Sequence, residues 1–207
     1  MNILTLAAAC FAGGYGLFTV FRSRTPLFYK IVVYGFGSYF LGVLYSSLYS
    51  ELMPDATGFH AGYLGYGGTF FFLFSSYFGA LDRLADGGEP QYRKYRLLSL
   101  FPSAFILAAG IWNYIAGKEL LPQLLLIPVA GTAYFACKHL CMPDVENGII
   151  RVMRSYNIII LILCLIQPYA MAAMVSIQPH QAVVIIQAVL VILALPLARK
   201  GVQRWYI

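Results

Sequence analysis

Residues 155–177 read SYNIIILILCLIQPYAMAAMVSI, a run without one charged side chain. A helix that crosses a bilayer needs about 20 predominantly apolar residues, and this stretch supplies them. Six further apolar runs share its texture, at about 3–21, 27–50, 60–81, 97–117, 120–140 and 181–198. The sequence therefore predicts an all-α membrane protein, a bundle of seven transmembrane helices forming a single transmembrane domain over 1–207.

Composition agrees. Of 207 residues, 60% are hydrophobic and 11% charged. An ordinary soluble domain carries about 25% charged residues, so lipid must be the solvent for most of this surface. Each gap between runs holds a stop signal: Thr25-Pro26, Met53-Pro54-Asp55 with Thr57-Gly58, Asp86-Gly87-Gly88-Glu89-Pro90, Gly117, Met142-Pro143-Asp144 and Gln178-Pro179. The gap around Gly117 is short enough to predict a tight hairpin.

The charges orient the bundle. Arg22, Arg24 and Lys30 follow the first run. Arg83, Arg93, Lys94 and Arg96 follow the third. Lys138, Arg151 and Arg154 follow the fifth, and Arg199, Lys200 and Arg204 the seventh. All but Lys118 of the 14 lysines and arginines thus fall on one side. The positive-inside rule makes that side cytoplasmic, with the N-terminus outside, in a multi-pass protein of the cytoplasmic membrane. The net charge of +6 is then a topology signal and not a nucleic-acid surface. The run before Cys10 is too short for a signal-peptide core, so the first run reads as an uncleaved helix. Cys10, Cys137, Cys141 and Cys164 fall in or beside apolar runs and read as free thiols.

Small residues predict close helix contacts, because packing and hydrogen bonds replace the hydrophobic effect between helices in lipid. Ser38, Gly42, Ser46 and Ser50 recur every four residues; Ala8, Ala12 and Gly16 do the same in the first run, and Gly65, Gly68, Ser75 and Gly79 mark the third. Spans one to three should form a tight sub-bundle, while the Ile-, Leu- and Val-rich sixth and seventh spans should face more lipid. The same small faces suit a homo-oligomer or a larger membrane protein partner.

Candidate site residues gather toward the outer half: Tyr45, Tyr49, His60, Tyr63, Tyr66, Asn113, Tyr114, Gln167, Tyr169 and Gln187, with Glu51 and Asp55 at the rim. Apolar walls with a few convergent polar groups suit a small uncharged or amphipathic ligand. Gln167 precedes Pro168, which removes a backbone donor and opens the helix locally. An alternative reading makes the aromatic residues an interfacial belt and the amides of Asn157, Gln167 and Gln187 interhelical hydrogen bonds. On the cytoplasmic side Asp82 and Asp86, four residues apart, share one helix face. They suit acid–base work, or pairing with Arg83, Arg93, Lys94 and Arg96 in a solvated network. No cofactor or metal motif is present in the sequence, and no phosphate loop or nucleophile elbow. No charged residue sits at mid-membrane, which argues against ion-coupled transport.

Two stretches, Leu41-Gly42-Val43-Leu44-Tyr45-Ser46-Ser47 and Phe59-His60-Ala61-Gly62-Tyr63-Leu64-Gly65, resemble the second and third helices of the YhhN-like family, whose characterised members are lysoplasmalogenases. That resemblance implies a membrane-embedded ether-lipid hydrolase working through carboxylates, with Glu51, Asp55, Asp82 and Asp86 as candidates. Leu48-Tyr49-Ser50-Glu51 stands where that family has Gly-Asp. Tyr77-Phe78-Gly79-Ala80-Leu81-Asp82, followed by Tyr92-Arg93-Lys94-Tyr95-Arg96, resembles small uncharacterised membrane proteins of Gram-positive bacteria.

Overall fold

The computed structural model describes residues 3–21, 25–54, 58–144, 148–174 and 181–205, with the backbone alone at 172–174. Arg22, Arg24, Asp55, Thr57, Glu146, Gln178 and Pro179 lie outside the described residues. The described chain is helical, with no strand: α1 Ile3–Val20, α2 Leu27–Leu52, α3 Gly62–Ser76, α4 Asp82–Ala85, α5 Arg93–Leu98, α6 Leu100–Ile115, α7 Leu120–Leu124, α8 Leu126–Cys141, α9 Ile149–Met174 and α10 Gln181–Trp205. A π turn, Tyr77–Leu81, joins α3 to α4 without a break, and a short 3₁₀ turn, Pro90–Tyr92, leads into α5.

Among the described residues, six helical segments are long and apolar enough to cross a membrane: Ile3–Val20, Leu27–Leu52, Pro90–Ile115, Leu120–Cys141, Ile149–Met171 and Gln181–Trp205. Large apolar side chains such as Phe21, Phe101, Trp112 and Ile115 stand on the outside of the bundle. In water that surface would be costly; in lipid it is solvated. The chain is an integral, multi-pass membrane protein.

The close packing expected within the first three runs is present between α2 and α3 and between α1 and α2, while α1 also packs on α10. The α2 and α3 backbones touch. A methyl group added at Gly42 would lie 2.8 Å from the Gly62 carbonyl oxygen, and one at Gly65 would lie 2.7 Å from the Gly42 nitrogen. Ser38 Oγ donates across this contact to the Gly65 carbonyl at 3.0 Å. Ala8, Ala12 and Gly16 are buried on α1, where Thr19 Oγ1 and the Tyr29 hydroxyl share a 2.7 Å hydrogen bond to α2. Three of the small residues do not serve this interface. Ser50 is exposed, Ser75 donates to Phe71 in its own helix, and Gly79 faces open space.

The lipid exposure differs from expectation. Ile149–Met171 and Gln181–Trp205 are each 44% buried across their most apolar stretch, while Pro90–Ile115 is only 22% buried. Branched side chains on α9 and α10 pack against each other, so they build core as well as lipid face. The peripheral helix is α6, held by Ser103 Oγ donating to the Ala130 carbonyl of α8 at 2.7 Å. The α6–α7 hairpin turns at Gly117, whose φ of +84° lies in the left-handed region that a side chain disfavours.

Candidate functional site

The outer-half residues form two groups. In the first, Tyr45, Tyr49, His60 and Tyr63 stack around the α2–α3 connection. His60 lies 4.7 Å from the Tyr49 ring and 4.6 Å from that of Tyr63, centroid to centroid. Its Nδ1 accepts the Gly62 backbone N–H at 3.2 Å, so His60 helps cap the start of α3. Tyr66, deeper on the same helix, meets Tyr39 edge-on at 5.4 Å.

The second group lies between α6 and α9. A groove of about 510 Å³ runs between them, lined by Phe105, Ala109, Trp112, Leu165 and Pro168 together with Asn113 and Tyr169. Asn113 Nδ2 donates to the Pro168 carbonyl at 3.1 Å and lies 3.3 Å from Gln123 Oε1. The proline in α9 therefore sits where an amide from the neighbouring helix meets its backbone. Gln167 and Gln187 are buried, and Tyr114 is exposed. The groove thus unites Asn113 and Tyr169, while Tyr45, Tyr49, His60 and Tyr63 make their own cluster.

The opposite end holds an arrangement that the sequence pattern does not reveal. Asp86 accepts two hydrogen bonds from Arg96, Nε to Oδ2 at 2.8 Å and Nη2 to Oδ1 at 2.6 Å. Lys138 Nζ donates to Asp86 Oδ2 at 3.1 Å and pairs with Asp82. Asp82 also meets His139, Oδ1 to Nε2, at 3.0 Å. The Asp86 and Lys138 side chains are each 3% exposed, and His139 is fully buried. Of the partners expected, Arg83, Arg93, Lys94 and Arg96, it is Arg96 that pairs with Asp86, and the network is largely buried where a solvated one was expected.

Local structure explains how it forms. A π turn takes one more residue per turn than the α-helix and rotates the residues beyond it about the helix axis. Here those residues include Asp82 and Asp86, which turn toward α8. The Gly88 N–H, at φ +96°, bonds Asp86 Oδ1 at 3.0 Å and folds the loop back. Arg96 Nη2 also holds the Glu89 carbonyl at 2.8 Å. The Arg96 guanidinium, first among these partners, keeps the Asp86 carboxyl well below the ordinary carboxylate range. Lys138, which the sequence puts near the cytoplasmic end of the fifth span, lies inside the last turn of α8, its ammonium over the Phe135 ring at 5.3 Å.

No family model, curated protein or solved structure matches the chain.

Proposed function

We propose that this protein is a seven-helix membrane protein that binds or passes a small amphipathic molecule through the groove between α6 and α9. The observation that carries this reading is the groove itself. It has an apolar wall and a volume within the usual range of ligand pockets, roughly 300–1,000 Å³. Asn113, Tyr169 and the indole of Trp112 are the polar side chains among its lining residues, and it opens on the most lipid-exposed helix. A ligand with one apolar chain and a hydrogen-bonding head suits that lining.

The span that completes seven, third in chain order, is Gly62–Ala85. Its 15 α-helical, 5 π and 4 further α-helical residues give a length of roughly 36 Å at 1.5 Å per residue, enough for a hydrocarbon core of about 30 Å. Gly58 stands beside Glu119 at one end, while Asp82 and Asp86 meet Lys138 and Arg96 at the other. With seven spans, the lysines and arginines other than Lys118 face the cytoplasm and the N-terminus faces outward. Native mass spectrometry after incubation with a bacterial lipid extract tests the binding reading. A retained, unchanged single-chain amphiphile supports it; a bare protein contradicts it.

A second reading, a YhhN-like lysolipid hydrolase, is favoured by the pairing of a carboxylate, Asp82, with a buried histidine. It fails if neutralising Glu51, Asp55, Asp82 and Asp86 together leaves a measured hydrolase rate unchanged.

A further inference from the structure

Cys137 and Cys141 stand four residues apart in the last turns of α8, so their side chains share one face of that helix. Both are half-buried free thiols, and the Cys137 side chain makes hydrogen-bond contacts with those of Cys141 and Ser99. Ser99 is fully buried directly after α5, and its own hydroxyl donates to the Tyr95 carbonyl at 2.7 Å. The two sulfurs are thus turned toward each other against the joint of α5 and α6. The helix is intact around them: the Met142 N–H bonds the Lys138 carbonyl at 2.9 Å. The other two thiols stand alone, Cys10 exposed on α1 and Cys164 buried in α9.

Geometry decides what two adjacent thiols can hold. Cβ atoms four residues apart on an α-helix are about 5–6 Å apart. A disulfide needs about 3.5–4.5 Å, so closing one here would pull the last turn of α8 out of its helical bonding. That turn carries Lys138 and His139, and through them the ion pairs to Asp82 and Asp86. Metal–thiolate bonds are about 2.3 Å long, so an ion in line between two sulfurs holds them roughly 4.6 Å apart, a span the intact helix allows. Among the described residues no group of three His, Cys, Asp or Glu is placed to hold an ion, so the pair has no further ligands for a tetrahedral one. Two thiolates by themselves suit a soft monovalent cation of linear geometry.

We propose that Cys137 and Cys141 form a two-thiolate site for a soft monovalent cation, copper(I), at the end of the bundle that holds the ion-pair network. Each thiol gives its proton to solvent as its sulfur bonds the ion, so one ion enters and two protons leave. The loaded site then carries one net negative charge. The helix α5, which packs on α8 and leads into Ser99, carries Arg93, Lys94 and Arg96, and Lys138 follows Cys137 directly. An anionic complex there sits among cations, which lowers the cost of its charge. This inference rests on neither functional reading above.

Titration of the reduced, detergent-purified protein with copper(I) against a coloured copper(I) chelator tests it. The expected result is one copper(I) withheld per chain, two protons released with it, and an X-ray absorption spectrum with two sulfur neighbours and no nitrogen. Cys137→Ser and Cys141→Ser should each weaken binding by about 100-fold or more, because the second sulfur no longer acts as a linked ligand. Cys10→Ser and Cys164→Ser should bind like the wild type. The absorption spectrum is read on the wild type, so the test stands even where a serine variant fails to fold. Copper(I) lost entirely to the chelator, retention unchanged in Cys137→Ser and Cys141→Ser, or a nitrogen neighbour in the spectrum overturns the proposal. So does a Cys137–Cys141 disulfide that forms under a mild oxidant without lowering the melting temperature, since the helix would then close the distance the ion is proposed to span.

Discussion

Nε2 of His139 lies 3.0 Å from Oδ1 of Asp82, across 57 residues of chain. That contact closes a buried network in which Lys138 bridges two carboxylates and Arg96 grips one of them. Four formal charges thereby compensate one another, which is the condition for keeping any of them away from water.

The bridge makes Lys138 the most sensitive member. Lys138→Met should destabilise the bundle by about 3–5 kcal/mol, because Asp82 and Asp86 lose their shared cation in a buried place. Arg83→Gln should change stability by less than about 0.5 kcal/mol, as expected for a surface site outside the network. Thermal unfolding in a mild detergent separates the two. Equal losses for both variants would count against a buried network.

Acid should weaken the same end of the molecule. The folded Asp86 carboxyl is held below its unfolded value, so its contribution is present above the unfolded pKa of about 3.9 and is lost as pH falls through the folded value. Stability measured from pH 7 downward should fall over that window in the wild type. Asp86→Asn, weaker at neutral pH, should show a shallower fall. Parallel curves would remove Asp86 as the source.

The contact between Gly42 and Gly65 leaves no space for a side chain. Gly65→Ala should cost about 1–3 kcal/mol, since the clash is with backbone and no rotamer can relieve it. Gly79→Ala, on the same helical segment with open space around it, should be neutral or slightly stabilising. Retained stability in Gly65→Ala would mean that α2 and α3 pack differently.

Topology has its own test. In a variant lacking the four native cysteines, a cysteine at Lys118 should react with an impermeant maleimide added outside intact cells. One at Arg93 should react only after the membrane is opened. Reversed labelling would invert the bundle, and equal labelling of both from outside would rule out the alternation of seven spans.

The spans are legible in the sequence because an apolar run without charge has one stable use in a lipid solvent. The Gly42 contact is legible too, since small residues every four positions align on one helix face. Ser50 and Gly79 fit that same spacing without serving the contact, because spacing says which residues share a face and not what the face meets. The π turn has no periodic signature, so the rotation of Asp82 and Asp86 toward α8 is hidden. Lys138 and His139 are hidden for a different reason. A lysine near a helix end reads as a stop signal, and only the fold brings it to carboxylates more than fifty residues earlier. The predicted alternation already puts Asp82, Asp86 and Lys138 on one side; that shared side is the available clue. Asn113 and Tyr169 stand out by their polarity in apolar runs, whereas the apolar groove wall of Ala109 and Leu165 carries no distinguishing mark.

The central claim is that the groove between α6 and α9 receives a single-chain amphiphile. The most direct measurement uses a lysophospholipid with a photoactivatable group on its acyl chain, reacted with the protein in nanodiscs and mapped by peptide mass spectrometry. The account predicts labels concentrated at 105–113 and 165–169, lost in an Ala109→Trp variant that fills the groove and still melts like the wild type. Labels spread evenly over every lipid-facing helix, and unchanged by Ala109→Trp, would contradict it.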